Sequence, residues 1–482
     1  MIKNVILDTT ANSGNSNFGA LSWRVAQNSA LVNVQVNMPQ GAHTGLYLGQ
    51  GSTIQVGDIS FRYGNNGVHV DDHQQATLKN MKFQYCTTGI LIDGGKTFNI
   101  FAPTFDTVGN SVVFNSGAPW VSVVDAKSIN SGTFFRSNVG YPNFMLENIQ
   151  KDTTSSNMVV VDGNTKLGGI RSVGNYVYGN TYGANPVYQS NPQNKALSRN
   201  SALAPNTNYP VVSAPQYASA TINDVINLKD SNQNGGQTLK GDGSNNDGPA
   251  LQSALNYAAQ QGKIAYLPYG IYRTRSTVTI PKGSRLVGNG WSTISGYGSA
   301  FSNSNNPTPV VKVGNSGDVG TCDIQDMRFT VGQTLPGAII LQVNMAGNKP
   351  GDVAIHNSLI TIGGTRDSQI DCGQENNCRS AYLGVHLTQS SSAYIDNFWN
   401  WLADHASDDS SGRPYSAAKG GILVESTKAT WLVGIGKYRL ELTSRFITDM
   451  DRSTGSEHYW LYQIAYNGAK NVLSTLFQSE SK

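Results

Sequence analysis

The sequence predicts an all-β chain made of two tandem parallel β-helix (solenoid) domains. Three observations carry that expectation: a repeat in the first third, a turn-rich composition, and a second series of short strands after a break. The strings GLYL, GVHV, GILI, SVVF, GTFF and NMVV begin at Gly45, Gly67, Gly89, Ser111, Gly132 and Asn157, about 22 residues apart. Phe61, Phe83 and Phe105 close the segments IQVGDISF, ATLKNMKF and IFAPTF at the same interval. Each period therefore holds at least two short β runs separated by turn residues. Such a unit cannot bury its apolar side alone, whereas stacked coils align Val, Ile, Leu and Phe into one continuous core. The leucine-rich pattern of other solenoids of similar period is absent.

Composition points the same way. The chain has 482 residues, 52 of them glycine, and only 13% are charged. That length exceeds one ordinary core, and abundant Gly, Asn, Ser and Thr belong to turns between strands. The formal net charge is +3, with no basic stripe and no acidic tail, so nothing suggests a nucleic-acid partner. No apolar run has the length of a membrane span, and the start MIKNVILDTT lacks the form of a signal peptide.

The first domain is expected over residues 1–175. Residues 176–222 are rich in Asn, Pro, Ser and Ala and read as a linker. The second domain is expected over 223–482. It opens with a stretch in which Asp247 can cap a short helix bearing Leu251, Leu255 and Ala258 on one side. A helix there would cover the open edge of the solenoid. Strands return through VVKVG, CDIQDMRFT, GAIILQVN, YLGVHLT and GGILVES, less regularly than in the first domain.

Residues 241–290 resemble the opening of pectate-lyase-type β-helix proteins, in Gly241-Asp242-Gly243, Pro268-Tyr269-Gly270-Ile271-Tyr272 and Leu286-Val287-Gly288. A sharper resemblance, to glycoside hydrolase family 55 β-1,3-glucanases, lies in YIDNFWNWLADH, GGILVEST, TWLVG and TGSEHYWLYQIAYNGAKNV, and in WRVAQ and DDHQQ of the first domain. It implies right-handed coils in both domains, the first truncated at its N-terminus and the second incomplete at its C-terminus. It also implies a secreted, monomeric hydrolase of β-1,3-glucan, exo-acting and inverting, that needs no metal or other cofactor and has no membrane partner.

Glycoside hydrolysis needs a carboxylic acid kept protonated to serve the leaving oxygen. The resemblance places that acid at Glu457, among Tyr459, Trp460 and Tyr462, aromatic neighbours of the kind that raise a carboxyl pKa. In the family, polar side chains of the first domain are thought to hold the attacking water, and they map to Gln27 and Ser52, for which a purely structural role, an amide ladder along the coils in the case of Gln27, is the alternative. An amide and a hydroxyl orient water but accept a proton poorly, so the base is unidentified. Trp399, Trp401 and Trp431 can stack on glucose rings or serve as core. Alternation puts Trp399 and Trp401 on one side of their strand and Phe398 on the other. Asp404 and His405 can bind sugar hydroxyls or bridge neighbouring coils, and His458 and Tyr462 complete the expected sugar contacts. Asp71-Asp72-His73 invites a metal reading but has no supporting ligand cluster, and a solvated turn is preferred.

Cys372 and Cys378, close together in a polar loop, are expected to form a disulfide, with Cys86 and Cys322 unpaired. Residues 435–453 separate TWLVG from TGSEH with charged text foreign to its surroundings, and are expected to lie outside the working enzyme as translated intron sequence, the alternative being a surface loop between coils. The competing functions are a carbohydrate-binding β-helix without catalysis, and a pectate lyase or polygalacturonase, whose carboxylate clusters are missing.

Overall fold

A computed structural model describes residues 1–25, 27–52, 54–181, 185–368, 370, 379–403, 406, 416–434, 456, 457, 459 and 461–475, with backbone alone at 456 and 457. The chain divides into two compact units, Met1–Ser213 and Ala214–Lys482. The boundary falls within the segment read as a linker, and the first part of that segment packs on unit 1.

Unit 1 is a stack of parallel coils. One inner column runs Leu46, Val68, Ile90, Val112, Phe135 and Val159, each paired with the next in parallel register. The first three steps are 22 residues, the fourth is 23 and the fifth 24. The strings that begin at Gly132 and Asn157 are therefore out of step with those at Gly45, Gly67 and Gly89. The later coils gained residues between columns, and the string spacing concealed it.

The repeated phenylalanines stack ring on ring. Phe61 and Phe83 have centroids 5.1 Å apart, Phe83 and Phe105 5.0 Å, with planes within 9° of parallel. The repeated glycines answer the same requirement. A Cβ on Gly67 would lie 2.4 Å from the Phe83 ring, and one on Gly45 or Gly89 would meet Phe61 or Phe105 as closely. The stack ends where strand Asn143–Lys151 pairs antiparallel with Ser172–Asn180, which covers the last open edge. Beyond it, the Arg199 guanidinium lies 2.7 Å from both Asp125 and Glu147 and 3.9 Å from the Tyr209 ring centroid.

In unit 2 the helix Gly248–Gln260 buries Leu251, Leu255 and Ala258 against the core, as their spacing requires. Asp247 precedes it, but its carboxylate makes no bond to the helix N-terminus. It accepts instead from the backbone N–H groups of Lys240 and Gly241, at 2.7 and 2.9 Å, and so fixes the opening turn.

Each coil of unit 2 has three faces. The first carries the inner column Leu286, Ile324, Ile355, Ile395 and Leu432. The chain then turns a corner at Asp326, Asn357 and Asn397, all with positive φ, a conformation that Asp and Asn tolerate better than other residues with a side chain. Asn397 donates its amide to Asn357 across the coils at 3.0 Å. The second face carries Ile294, Phe329, Ile360 and Asn400. The third carries Val278, Val311, Leu341, Val385, Ile422 and Ile464.

Candidate active site

The second face of unit 2 brings three of the sequence candidates together, Trp399, Trp401 and Glu457. Strand Tyr394–Leu402 alternates, so Phe398 and Leu402 enter the core while Trp399 and Trp401 lie on the other side. The two indoles stack, with centroids 4.9 Å apart and planes within 12°. Strand Ser456–Glu457 pairs in parallel with this one, Ser456 beside Asn400 and Glu457 beside Trp401. Glu457 thus takes the last register position of a column that runs Ser295, Thr330, Thr361 and Trp401.

Trp401 is only 2% exposed, whereas Trp399 keeps an accessible surface. The buried indole N–H of Trp399 has no acceptor among the described residues. An unmatched donor is costly to bury, and a sugar hydroxyl would satisfy it. Trp431 lies on the first face, across the Asn397 corner, 3% exposed and tilted against Tyr394. It is not brought to the Trp399 pair. Tyr462 opens the last strand of the third face, its ring packed over Gly420, where a Cβ would meet it at 2.5 Å. Burial, with Tyr382 and Glu425 nearby, pushes its phenol up to about 12. Asp404, His405 and His458 lie outside the described residues, as do Cys372, Cys378 and residues 435–453. Cys86 and Cys322 are free and buried, and burial raises both thiols.

Ahead of the tryptophans, the same face carries an arginine that sequence reasoning missed. Arg328 is buried, grips Asp367 through one terminal nitrogen at 2.9 Å to each oxygen, and donates to Thr361 and Thr365 at 2.9 Å or less. Its guanidinium stands 5.6 Å from the ring centroid of Trp291, which is 51% exposed. Asn400 and Gln463 were also missed, and Tyr459 was read only as an aromatic neighbour of Glu457. A polar residue in an inner column is recognisable only once the register is known.

In unit 1, Gln27 and Ser52 sit on neighbouring turns: the Ser52 N–H donates to the Val25 carbonyl at 3.1 Å, two residues before Gln27. Ser52 Oγ lies 3.5 Å from Gln74 Oε1. The adjacent Asp71-Asp72-His73 is the expected solvated turn only in part, with Asp72 exposed at the bend. His73 is wholly buried with Nδ1 2.8 Å from the Gly49 carbonyl, and Asp71 accepts from the Tyr47 hydroxyl. Burial holds the His73 imidazole below its ordinary pKa. Among the described residues no group of three His, Cys, Asp or Glu side chains could hold a metal.

Comparison with known proteins adds the lineage. A family model described as rhamnogalacturonase A/epimerase, pectate lyase-like, matches residues 1–111 and 225–399. The chain is 44% identical over its whole length to a glucan endo-1,3-beta-glucosidase of Trichoderma harzianum, covering 61% of that protein. It is 28% identical to a glucan 1,3-beta-glucosidase of Cochliobolus carbonum, again covering 61%. It is also 28% identical to a non-secreted LysM effector of Penicillium expansum, covering 35%. The chain thus spans at most about three fifths of the length of these relatives.

Proposed function

Since the chain belongs to the pectate-lyase-like rhamnogalacturonase A/epimerase family, we propose that it is a β-1,3-glucan hydrolase in which Glu457 is the proton donor. The observation that carries this is the register of Glu457 beside the stacked pair Trp399 and Trp401. Flat indole faces suit the apolar face of a pyranose, and a carboxyl next to them can reach a glycosidic oxygen. The printed names of the glucanase relatives support the substrate.

In this reading the Glu457 carboxyl gives its proton to the departing glycosidic oxygen as the C1–O bond breaks. A water adds to C1 from the opposite side of the ring, so configuration inverts. This water needs polar side chains to orient it, and its proton passes to a base not yet identified. Secretion belongs to the same proposal.

The test is hydrolysis of laminarin, against pectin as control, by the full chain and by Glu457→Gln. Loss of turnover of about a hundredfold or more, with laminarin binding retained, is expected for removal of a general acid. A mutant within a few-fold of wild type would refute the assignment, and a chain that binds laminarin without cleaving it would be a carbohydrate-binding protein. Products decide the mode: glucose alone means exo action, the expectation from sequence, and a ladder of oligosaccharides means endo action. Anomeric analysis of the first product reports inversion.

A further inference from the structure

Among the described residues, Ser456 and Glu457 join the second face of unit 2 by pairing with Asn400 and Trp401. A general acid must be placed to within a fraction of an ångström. Tyr459, two residues further along the chain, is anchored from two sides. It is buried in the core, 4% exposed, and its hydroxyl donates to Asn400 Oδ1 at 2.6 Å. Asn400 is the register partner of Ser456, so this bond joins the same two strands that pair at Glu457. From the third face, the Gln463 side chain accepts from the Tyr459 N–H at 3.1 Å and donates to the Tyr459 carbonyl at 3.0 Å. The amide thereby takes the place of a neighbouring strand's backbone.

Packing does not explain the asparagine. Its column is Ile294, Phe329 and Ile360 in the preceding coils, and a buried amide costs free energy that hydrogen bonds must offset. Neighbouring structure has given way to it: a Cβ at Gly384 would lie 2.4 Å from Asn400 Oδ1. Along this column the polar node stands in the coil next to Glu457.

We infer that Tyr459, held by Asn400 and Gln463, is a positioning residue that sets the Glu457 carboxyl against its substrate. The inference rests on the proposed role of Glu457. A misplaced acid fails most where the leaving group is poor and must be protonated, and matters little where the leaving group departs unaided. A residue that only stabilises the coil lowers both reactions alike.

The experiment compares wild type, Tyr459→Phe, Gln463→Leu and Glu457→Gln on laminarin and on 2,4-dinitrophenyl β-laminaribioside, with thermal unfolding measured alongside. For Tyr459→Phe, kcat on laminarin should fall about ten- to a hundredfold, the size of an ångström-scale misplacement, with KM nearly unchanged. The aryl glycoside should lose less than about threefold. Gln463→Leu should show the same split, and carries the test should Tyr459→Phe unfold. Equal losses on both substrates, or no loss on either, in both variants would overturn the inference while leaving Glu457 in place if Glu457→Gln keeps the split. Glu457→Gln without the split would overturn the acid assignment itself, and with it the inference. A wild-type chain inert on both substrates would overturn both.

Discussion

Within the repeat of unit 1 an inner column carries Phe61, Phe83 and Phe105 face to face, whereas the second face of unit 2 carries Ile294, Phe329, Ile360 and then Asn400. The first column repeats one solution to one packing problem over three coils, each ring beside a bare glycine, before it gives way to Ser128. The second stops repeating in the coil next to the candidate acid. Outside the core the contrast recurs. The buried carboxylates of unit 1, Asp125 and Glu147, face a guanidinium at 2.7 Å, while Asp323 of unit 2 faces a phenol and, at 4.0 Å, an imidazole. Regularity builds a scaffold, and at Asn400 its interruption coincides with a hydrogen bond to the chain beside Glu457.

The comparison is broken most forcefully in the phenylalanine stack. Phe83→Ala opens a cavity between two rings that cannot close it, because the coils above and below are fixed by backbone pairing. A loss of about 3–5 kcal/mol is expected for such a truncation. Hydrogen exchange read on peptides of each unit separately should place the loss in unit 1 alone. A change confined to unit 2, or a loss below about 1 kcal/mol, would mean that the stack is not what holds the coils.

A smaller effect is expected from Arg328→Met in unit 2. It leaves Asp367 without its cation and Thr361 and Thr365 without their donor, at a cost of about 2–3 kcal/mol, since Asp367 can regain some water. The loosening should centre on residues 363–368, leaving unit 1 protected against exchange. Uniform loosening of both units would show that the arginine serves the whole chain.

The scaffold was legible in sequence because its physics repeats. Gly67 and Phe83 each recur one coil later, at Gly89 and Phe105, and the eye finds that interval without knowing why the pair belongs together. The later coils were read out of step because Val112 pairs with Phe135 across 23 residues, and an extra turn residue leaves no mark in the apolar strings. Alternation placed Trp399 and Trp401 together, since strand geometry alone decides it. Asn400 was not legible: in FWNW it looks like any polar residue between aromatics, and only the register reveals an amide in an apolar column. Arg328 and Asp367 are 39 residues apart, and only stacking makes them a pair. His73 was misjudged because two carboxylates before it suggest water, while the turn folds it beneath Gly49.

The smallest expected effect concerns Asp323, and it sharpens the contrast between carboxylates. Burial raises its pKa above the ordinary 3.8, an effect that His356, the Tyr217 hydroxyl and Gln325 reduce without cancelling, and Asp326 adds to it. Asp396 in turn sits 3.2 Å from the other nitrogen of His356. A raised folded-state pKa means that the fold favours the protonated acid. The contribution to stability is complete below the unfolded value of about 4 and is lost as pH rises through the folded value. Asp323→Asn removes the titration while keeping an oxygen that can accept from Tyr217, as the carboxylate does at 2.5 Å. The mutant should therefore match wild type most closely near pH 4 and gain on it as pH rises, with the unfolding of unit 2 followed by exchange or by tryptophan emission. Parallel stability curves for the two proteins across that range would show that Asp323 pays no penalty for its burial, and that the carboxylates of the two units differ in partners but not in consequence.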